Sequence, residues 1–127
     1  MFGSPTYLGG YAAQVKAFID GCSGVWMKQG WKDKLAAGFT HSQGLSGDKL
    51  ATLTGFVVNT MQHGIVWVGN AGLPEGDTPD KVNRLSSFTG AMAQSGYGQA
   101  VTHPADWETA TRFGTRVGET LVRWQKG

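Results

Sequence analysis

Apolar residues recur along the chain with two different periods, and the switch between them predicts the order of elements. Val15, Phe18, Ile19 and Cys22 lie three, four and seven positions from Val15, the spacing of one helical face. Gly21 and Gly24 are placed to end that helix. Ahead of it, Met1 and Phe2 are apolar but stop at Gly3-Ser4-Pro5-Thr6, which reads as a turn. Trp26 to Lys34 is a loop or a short helical stretch. Leu35 to Thr40 is a short apolar run, predicted as a buried strand, followed by a loop from His41 to Gly47. Ser46 is placed as an N-cap with Asp48 in the first turn of a second helix. That helix carries Leu50, Leu53, Val57 and Met61 on one stripe and ends at Gly64. Ile65 to Val68 is β-rich and predicts the next strand.

Beyond Gly69 the pattern weakens. Gly72, Pro74, Gly76, Asp77 and Pro79 mark a loop, and Leu85 to Ala93 holds a short strand or a helical turn. Pro104 opens a last helix whose stripe is Trp107, Ala110, Phe113, Val117, Leu121 and Trp124. Glu108 with Arg112, and Glu119 with Arg123, form i,i+4 pairs on its outer side. Strands alternating with helices predict an α/β fold with a parallel sheet. Ligands in such sheets sit beyond the carboxyl ends of the strands. Two segments fall at that edge, Gly3 to Gly10 and Thr40 to Gly47. Both mix glycine with small hydroxyl residues and can offer backbone N–H groups to a flat polar ring system, although ordinary strand-to-helix turns have the same composition.

Composition narrows the classes. A chain of 127 residues with 40% hydrophobic content has room for one domain and one core. A net charge of +2, with the basic residues scattered, argues against nucleic acid as a partner. No stretch approaches the ~20 apolar residues of a membrane span, and the first residues lack signal-peptide character. Cys22 is the single cysteine, which excludes an internal disulfide and fits a reducing, cytoplasmic setting. His41, His63 and His103 lack metal-ligand spacing with one another and with Cys22, so no metal site is expected.

A longer pattern points to a family. The run Phe2-Gly3-Ser4-Pro5-Thr6-Tyr7-Leu8-Gly9-Gly10, with Gln14, Lys16, Ala17, Phe18 and Asp20 after it, resembles the third strand-loop-helix of FMN-dependent flavodoxin-like reductases. The resemblance continues through Trp26, Lys34 to Thr40, Gly47, Met61 to Val68, Asn83 to Leu85 and Gly90 to Gln94. It covers nearly the whole chain in order. The type most similar is the tryptophan-repressor-binding-protein kind of NAD(P)H:quinone oxidoreductase.

The resemblance implies a single partial flavodoxin-like domain over residues 1–127: the last strands of a parallel sheet, truncated, flanked by helices. It implies FMN as cofactor, NAD(P)H as reductant and a quinone-type acceptor. Ser4, Pro5, Thr6, Tyr7, Leu8, Gly9 and Gly10 would face one edge of the flavin, and Thr40, His41, Ser42 and Gly47 a second. His63 would act as the catalytic hydrogen-bonding group toward a quinone oxygen; a histidine favoured by a helix C-terminus is the plainer reading. Trp26 matches a tryptophan that reaches a neighbouring subunit's flavin pocket, or it simply packs. Relatives begin with a phosphate-binding loop that is not seen before Met1. Charge-assisted hydrogen bonds contribute ~1.5–3 kcal/mol each, so lacking about three predicts FMN affinity weakened ~10³- to 10⁶-fold. A sheet reduced to its last strands exposes an edge, which predicts a homo-oligomer, dimer or tetramer, burying more than ~1,000 Å². The alternative expectation is a non-catalytic remnant that serves as an oligomeric binding or structural module without cofactor.

Overall fold

The computed structural model describes residues 1–74, 81–100 and 102–127. The predicted loop residues Gly76, Asp77 and Pro79 lie outside them. The elements run β1 (Phe2–Tyr7), β2 (Gly10–Tyr11), α1 (Ala13–Gly21), α2 (Ser23–Met27), β3 (Leu35–Ala36), β4 (Gly38–Ser42), α3 (Lys49–Gln62), β5 (Val66–Trp67), β6 (Ala91–Gln94) and α4 (Pro104–Lys126). A four-stranded sheet has the order β2-β1-β4-β6, and β3 pairs with β5. All pairings are parallel except the short β1–β2 return.

The two sheets share one edge-to-edge path. Residues 35–42 pair first with β5, Leu35 opposite Val66 and Ala36 opposite Trp67, and then with β6, Phe39 opposite Ala91 through Ser42 opposite Gln94. The neighbouring strand is thus interrupted after Val68 and resumes at Gly90. Gly90 is held at this junction by close approach: a Cβ there would stand 2.3 Å from the Gly38 carbonyl oxygen. The excursion between is fastened by polar side chains. Asn70 Nδ2 donates to the Ser87 carbonyl (3.0 Å), Asn83 Nδ2 to the Gly72 carbonyl (2.6 Å) and Ser87 Oγ to the Gly90 carbonyl (2.6 Å). That polar fastening explains why hydrophobic periodicity fades there, and β6 resolves the Leu85–Ala93 ambiguity as a strand.

Helices cover both faces. On one side Phe113 of α4 packs with Ala37, Val68 and Ala91. On the other, Phe56 of α3 stacks on Phe2 (5.5 Å between centroids) and Tyr11 (5.4 Å).

Three predicted elements need correction. The segment read as a turn at Gly3–Thr6 is the body of β1, and the loop reduces to Leu8 and Gly9. Ser4 and Thr6 alternate into the interior, and Phe2 N–H donates to the Ala37 carbonyl (2.8 Å). By strand alternation the N–H that Pro5 lacks would face away from β4, where proline costs no ladder bond. Residues 35–40 form not one strand but two, β3 and β4, and β4 continues through His41 to Ser42. Finally, Ser46 is not the N-cap. Asp48, with φ +52°, stands there, and α3 begins at Lys49. Its inward face is Lys49, Thr52, Leu53, Phe56 and Thr60, while Leu50 and Met61 of the expected stripe are exposed. Polar residues on the buried face shifted the apparent phase of the helix.

Candidate functional site

The carboxyl ends of β1 and β4 lie side by side, since Pro5 pairs with His41. Beyond them opens a crevice of about 660 Å³, lined by Pro5 to Gly9, His41 to Gly44, Gly47, Asp48 and Tyr97. That volume falls in the range of small-molecule and cofactor sites. One wall is the tight turn at Leu8 (φ +47°) and Gly9 (φ +81°), the left-handed pair that a two-residue hairpin requires. A Cβ at Gly9 would meet nothing within 4 Å, so backbone is presented to open space. Tyr7, Leu8 and Tyr97 are exposed at the rim and offer flat apolar surface.

Buried hydroxyls hold the floor. Thr6 Oγ1 lies 2.7 Å from both Thr40 Oγ1 and Thr52 Oγ1, joining β1, β4 and α3. Ser4 Oγ accepts from the Ala12 N–H (2.8 Å) and fixes the return into α1. The second wall is set by Lys49, whose Nζ donates to Ser42 Oγ (2.9 Å) and to the carbonyls of Gly44 (2.9 Å) and Leu45 (2.8 Å). Burial lowers the Lys49 pKa. His41 Nε2 and Ser95 Oγ are 2.9 Å apart, and Gln94 Nε2 donates to the Gln43 carbonyl (2.7 Å), so β6 braces the same wall. Behind it, Arg84 grips Asp106 with two bonds, Nε to Oδ1 (2.8 Å) and Nη2 to Oδ2 (2.7 Å). Asp106 also accepts the Gln94 N–H (2.9 Å).

The structure therefore brings Pro5, Thr6, Tyr7, Leu8, Gly9, His41, Ser42 and Gly47 together at one crevice. Ser4 and Thr40 lie beneath it as supports, and Gly10 sits in β2 opposite Tyr7. His63 is elsewhere. It caps the other end of α3, 14 residues or about 20 Å along the helix axis from Lys49. There it shares a shallow cavity of about 220 Å³ with Trp26, Cys22 and Asn59, its ring 4.8 Å from that of Trp31. His63 Nδ1 is buried without a hydrogen-bond partner among the described residues. Within one chain neither His63 nor Trp26 can reach the crevice.

Asp48, Tyr97, Lys49 and the Arg84–Asp106 pair were not foreseen, whereas Gln43 and Gly44 fall inside the segment Thr40 to Gly47 expected at this edge. Lys49 stands on the buried face of a helix, where periodicity assigns apolar residues, and Tyr97 lies in a segment with no periodicity. A further cavity of about 360 Å³ lies under α4, walled by Met1, Phe39, Met92, Trp107 and Phe113. It is almost wholly apolar and lies under the helix rather than at the strand tips. The crevice is the better site for a polar ring, because backbone and hydroxyl groups converge there. Among the described residues no helix is long and apolar enough to cross a membrane, and no cluster of three or more His, Cys, Asp or Glu is arranged to hold a metal ion.

Similarity to known proteins agrees with this geometry. Residues 1–72 match the NADPH-dependent FMN reductase family. The chain is 36% identical to flavodoxin FldP of Pseudomonas aeruginosa, over 92% of this chain and 66% of that protein. It is 34% identical to an NAD(P)H dehydrogenase (quinone) of Archaeoglobus fulgidus, over 97% of this chain and 59% of that protein. A crystal structure of a flavodoxin, a WrbA-like protein from Agrobacterium tumefaciens, superposes with a TM-score of 0.74 at 37% identity, covering 96% of this chain and 64% of that one. The chain thus spans about three fifths to two thirds of these proteins. With 36% and 37% identity to two flavodoxins and the same overall fold as the second, the chain belongs to the flavodoxin-like NADPH-dependent FMN reductase family.

Proposed function

We propose that this chain provides the ring-binding portion of an FMN-dependent NAD(P)H oxidoreductase that reduces quinone-type acceptors. The observation that carries the reading is the crevice itself: exposed backbone at Leu8–Gly9 faces the wall of residues 41–48 across a slot rimmed by Tyr7 and Tyr97. Bound FMN supplies the hydride-accepting and hydride-donating chemistry. The chain's own residues bind and orient. Backbone groups of Thr6 to Gly9 would hold one ring edge, and Ser42 and Gly47 the second. Tyr7 would pack along the ring, a contact worth ~0.5–1.5 kcal/mol beyond area burial. His41, held by Ser95, lines the crevice and also borders the apolar cavity under α4. No lysine or arginine lines the crevice among the described residues, so its lining recognises the ring rather than a phosphate.

The placement of Trp26 and His63 supports an assembly in which that end of one copy meets the crevice of another. A buried imidazole nitrogen without a partner costs ~1–3 kcal/mol, and rearrangement of the surrounding side chains on assembly would turn it toward a ligand or acceptor. His63 then serves a quinone oxygen in a homo-oligomer, as dimer or tetramer.

The test is titration of FMN and riboflavin into the polypeptide of residues 1–127, followed by quenching of flavin fluorescence. Saturable quenching by both, with affinities within about tenfold of each other, is the expected result. A protein that quenches neither is the cofactor-free binding module instead.

A further inference from the structure

Lys49 is the first residue of α3 and is only 1% exposed. Its ammonium has three protons, and all three are donated: to Ser42 Oγ and to the Gly44 and Leu45 carbonyls. Every acceptor is neutral. Hydrogen bonding is complete while the charge stays unbalanced, since no carboxylate touches Nζ among the described residues. The charged groups that act on it from a distance are Asp106 of α4 and Arg84, and these are already paired with each other. His41 and Asp48 lie on the crevice wall nearby. Two of the three acceptors, Ser42 and Gly44, line the crevice. The positive charge therefore sits one hydrogen bond behind the wall, in protein rather than water, where its field is weakly screened.

We infer that Lys49 is an electrostatic positioning residue of the crevice, whose unbalanced ammonium favours a negatively charged ring over a neutral one. This rests on the FMN reading above. When a dihydronicotinamide donor passes a hydride to the neutral oxidised ring, the ring gains two electrons and one proton. It becomes an anion, and the nicotinamide leaves oxidised by the same two electrons. The crevice then holds the charge that Lys49 faces. A fixed, already oriented cation stabilises such charge without reorganising when it appears.

The experiment compares the wild-type chain with Lys49→Met, which keeps length and loses charge. Affinities for oxidised and reduced FMN are measured anaerobically, together with the midpoint potential of the bound flavin. The expected result is a roughly tenfold fall in the ratio of reduced to oxidised affinity in the variant, a potential about 30 mV lower for a two-electron couple. A loop merely loosened by the substitution would weaken both forms alike. Equal ratios in the two proteins overturn the role of Lys49 and leave the FMN reading standing. Absence of FMN binding to the wild type overturns that reading and this inference with it. If Lys49→Met does not fold, ¹⁵N-lysine NMR of the wild type decides. The Nζ pKa should rise with reduced FMN and not with oxidised FMN, and the same pKa in both complexes overturns the inference.

Discussion

The two ends of helix α3 are built on opposite terms. At its start, Lys49 is buried with every donor used, and its partners are the loop that walls the crevice. At its finish, His63 is equally buried, yet Nδ1 meets nothing among the described residues. The first end is complete inside one chain. The second leaves a buried polar atom unpaired among the described residues, close to an exposed tryptophan. The difference teaches that polar groups are satisfied within one chain at the crevice wall and left unsatisfied, among the described residues, at the His63 end. A single helix thus links a fully hydrogen-bonded end at the crevice to an end with an unsatisfied imidazole, the end proposed to meet a second copy.

The largest effect expected at the crevice end comes from Asp106→Ala. Arg84 and Asp106 are 9% and 2% exposed, so removal of the carboxylate strands a buried guanidinium. Such losses cost about 3–5 kcal/mol. Urea denaturation reads the change, and a loss under about 1 kcal/mol would break the claim that this end is held by its polar order. Next in size is Thr6→Val. It removes the hydroxyl shared by Thr40 and Thr52 and leaves both buried, for a cost of about 1–3 kcal/mol by the same assay.

At the other end the expectation reverses. His63→Leu replaces an unpartnered polar ring by an apolar side chain, so the stability of the single chain should move by less than about 1 kcal/mol. Light scattering should nevertheless show weaker self-association. A large loss of chain stability would mean that His63 serves the fold and not an interface.

The smallest effect is one of pH. Burial holds the Lys49 pKa below 10.5, so between the folded and unfolded values the unfolded chain binds more protons. Stability from this group therefore rises with pH across that window and is lowest while Lys49 stays charged in both states. The wild type should gain on Lys49→Met as pH climbs toward 10.5, measured by denaturation at several alkaline pH values.

Parts of this molecule were legible in the residues. Pro104 marked the start of α4, Gly64 follows α3, and Ile65–Val68 contains β5. Gly3 to Gly10 and Thr40 to Gly47 were placed at the carboxyl edge of the sheet from the alternation of strands and helices, and Pro5 to Gly9 and His41 to Gly44 do line the crevice there. The misreadings have a common cause. Gly3, Ser4, Pro5 and Thr6 are turn formers locally, yet pairing of Gly3–Pro5 with Phe39–His41 and the Thr6–Thr40–Thr52 hydroxyl contacts make them a strand. Lys49, Thr52 and Thr60 point inward, so a stripe drawn through apolar residues alone fell out of phase. Arg84 and Asp106 are separated by an excursion without periodicity, and only the fold brings them into contact.

Amide NMR locates the flavin ring most directly. With saturating FMN added to the ¹⁵N-labelled chain, the largest shifts should fall at Tyr7, Leu8 and Gly9, at residues 43–48, and at Tyr97. Unmoved signals there, or shifts confined to Phe39, Met92 and Trp107 under α4, would contradict binding at the crevice.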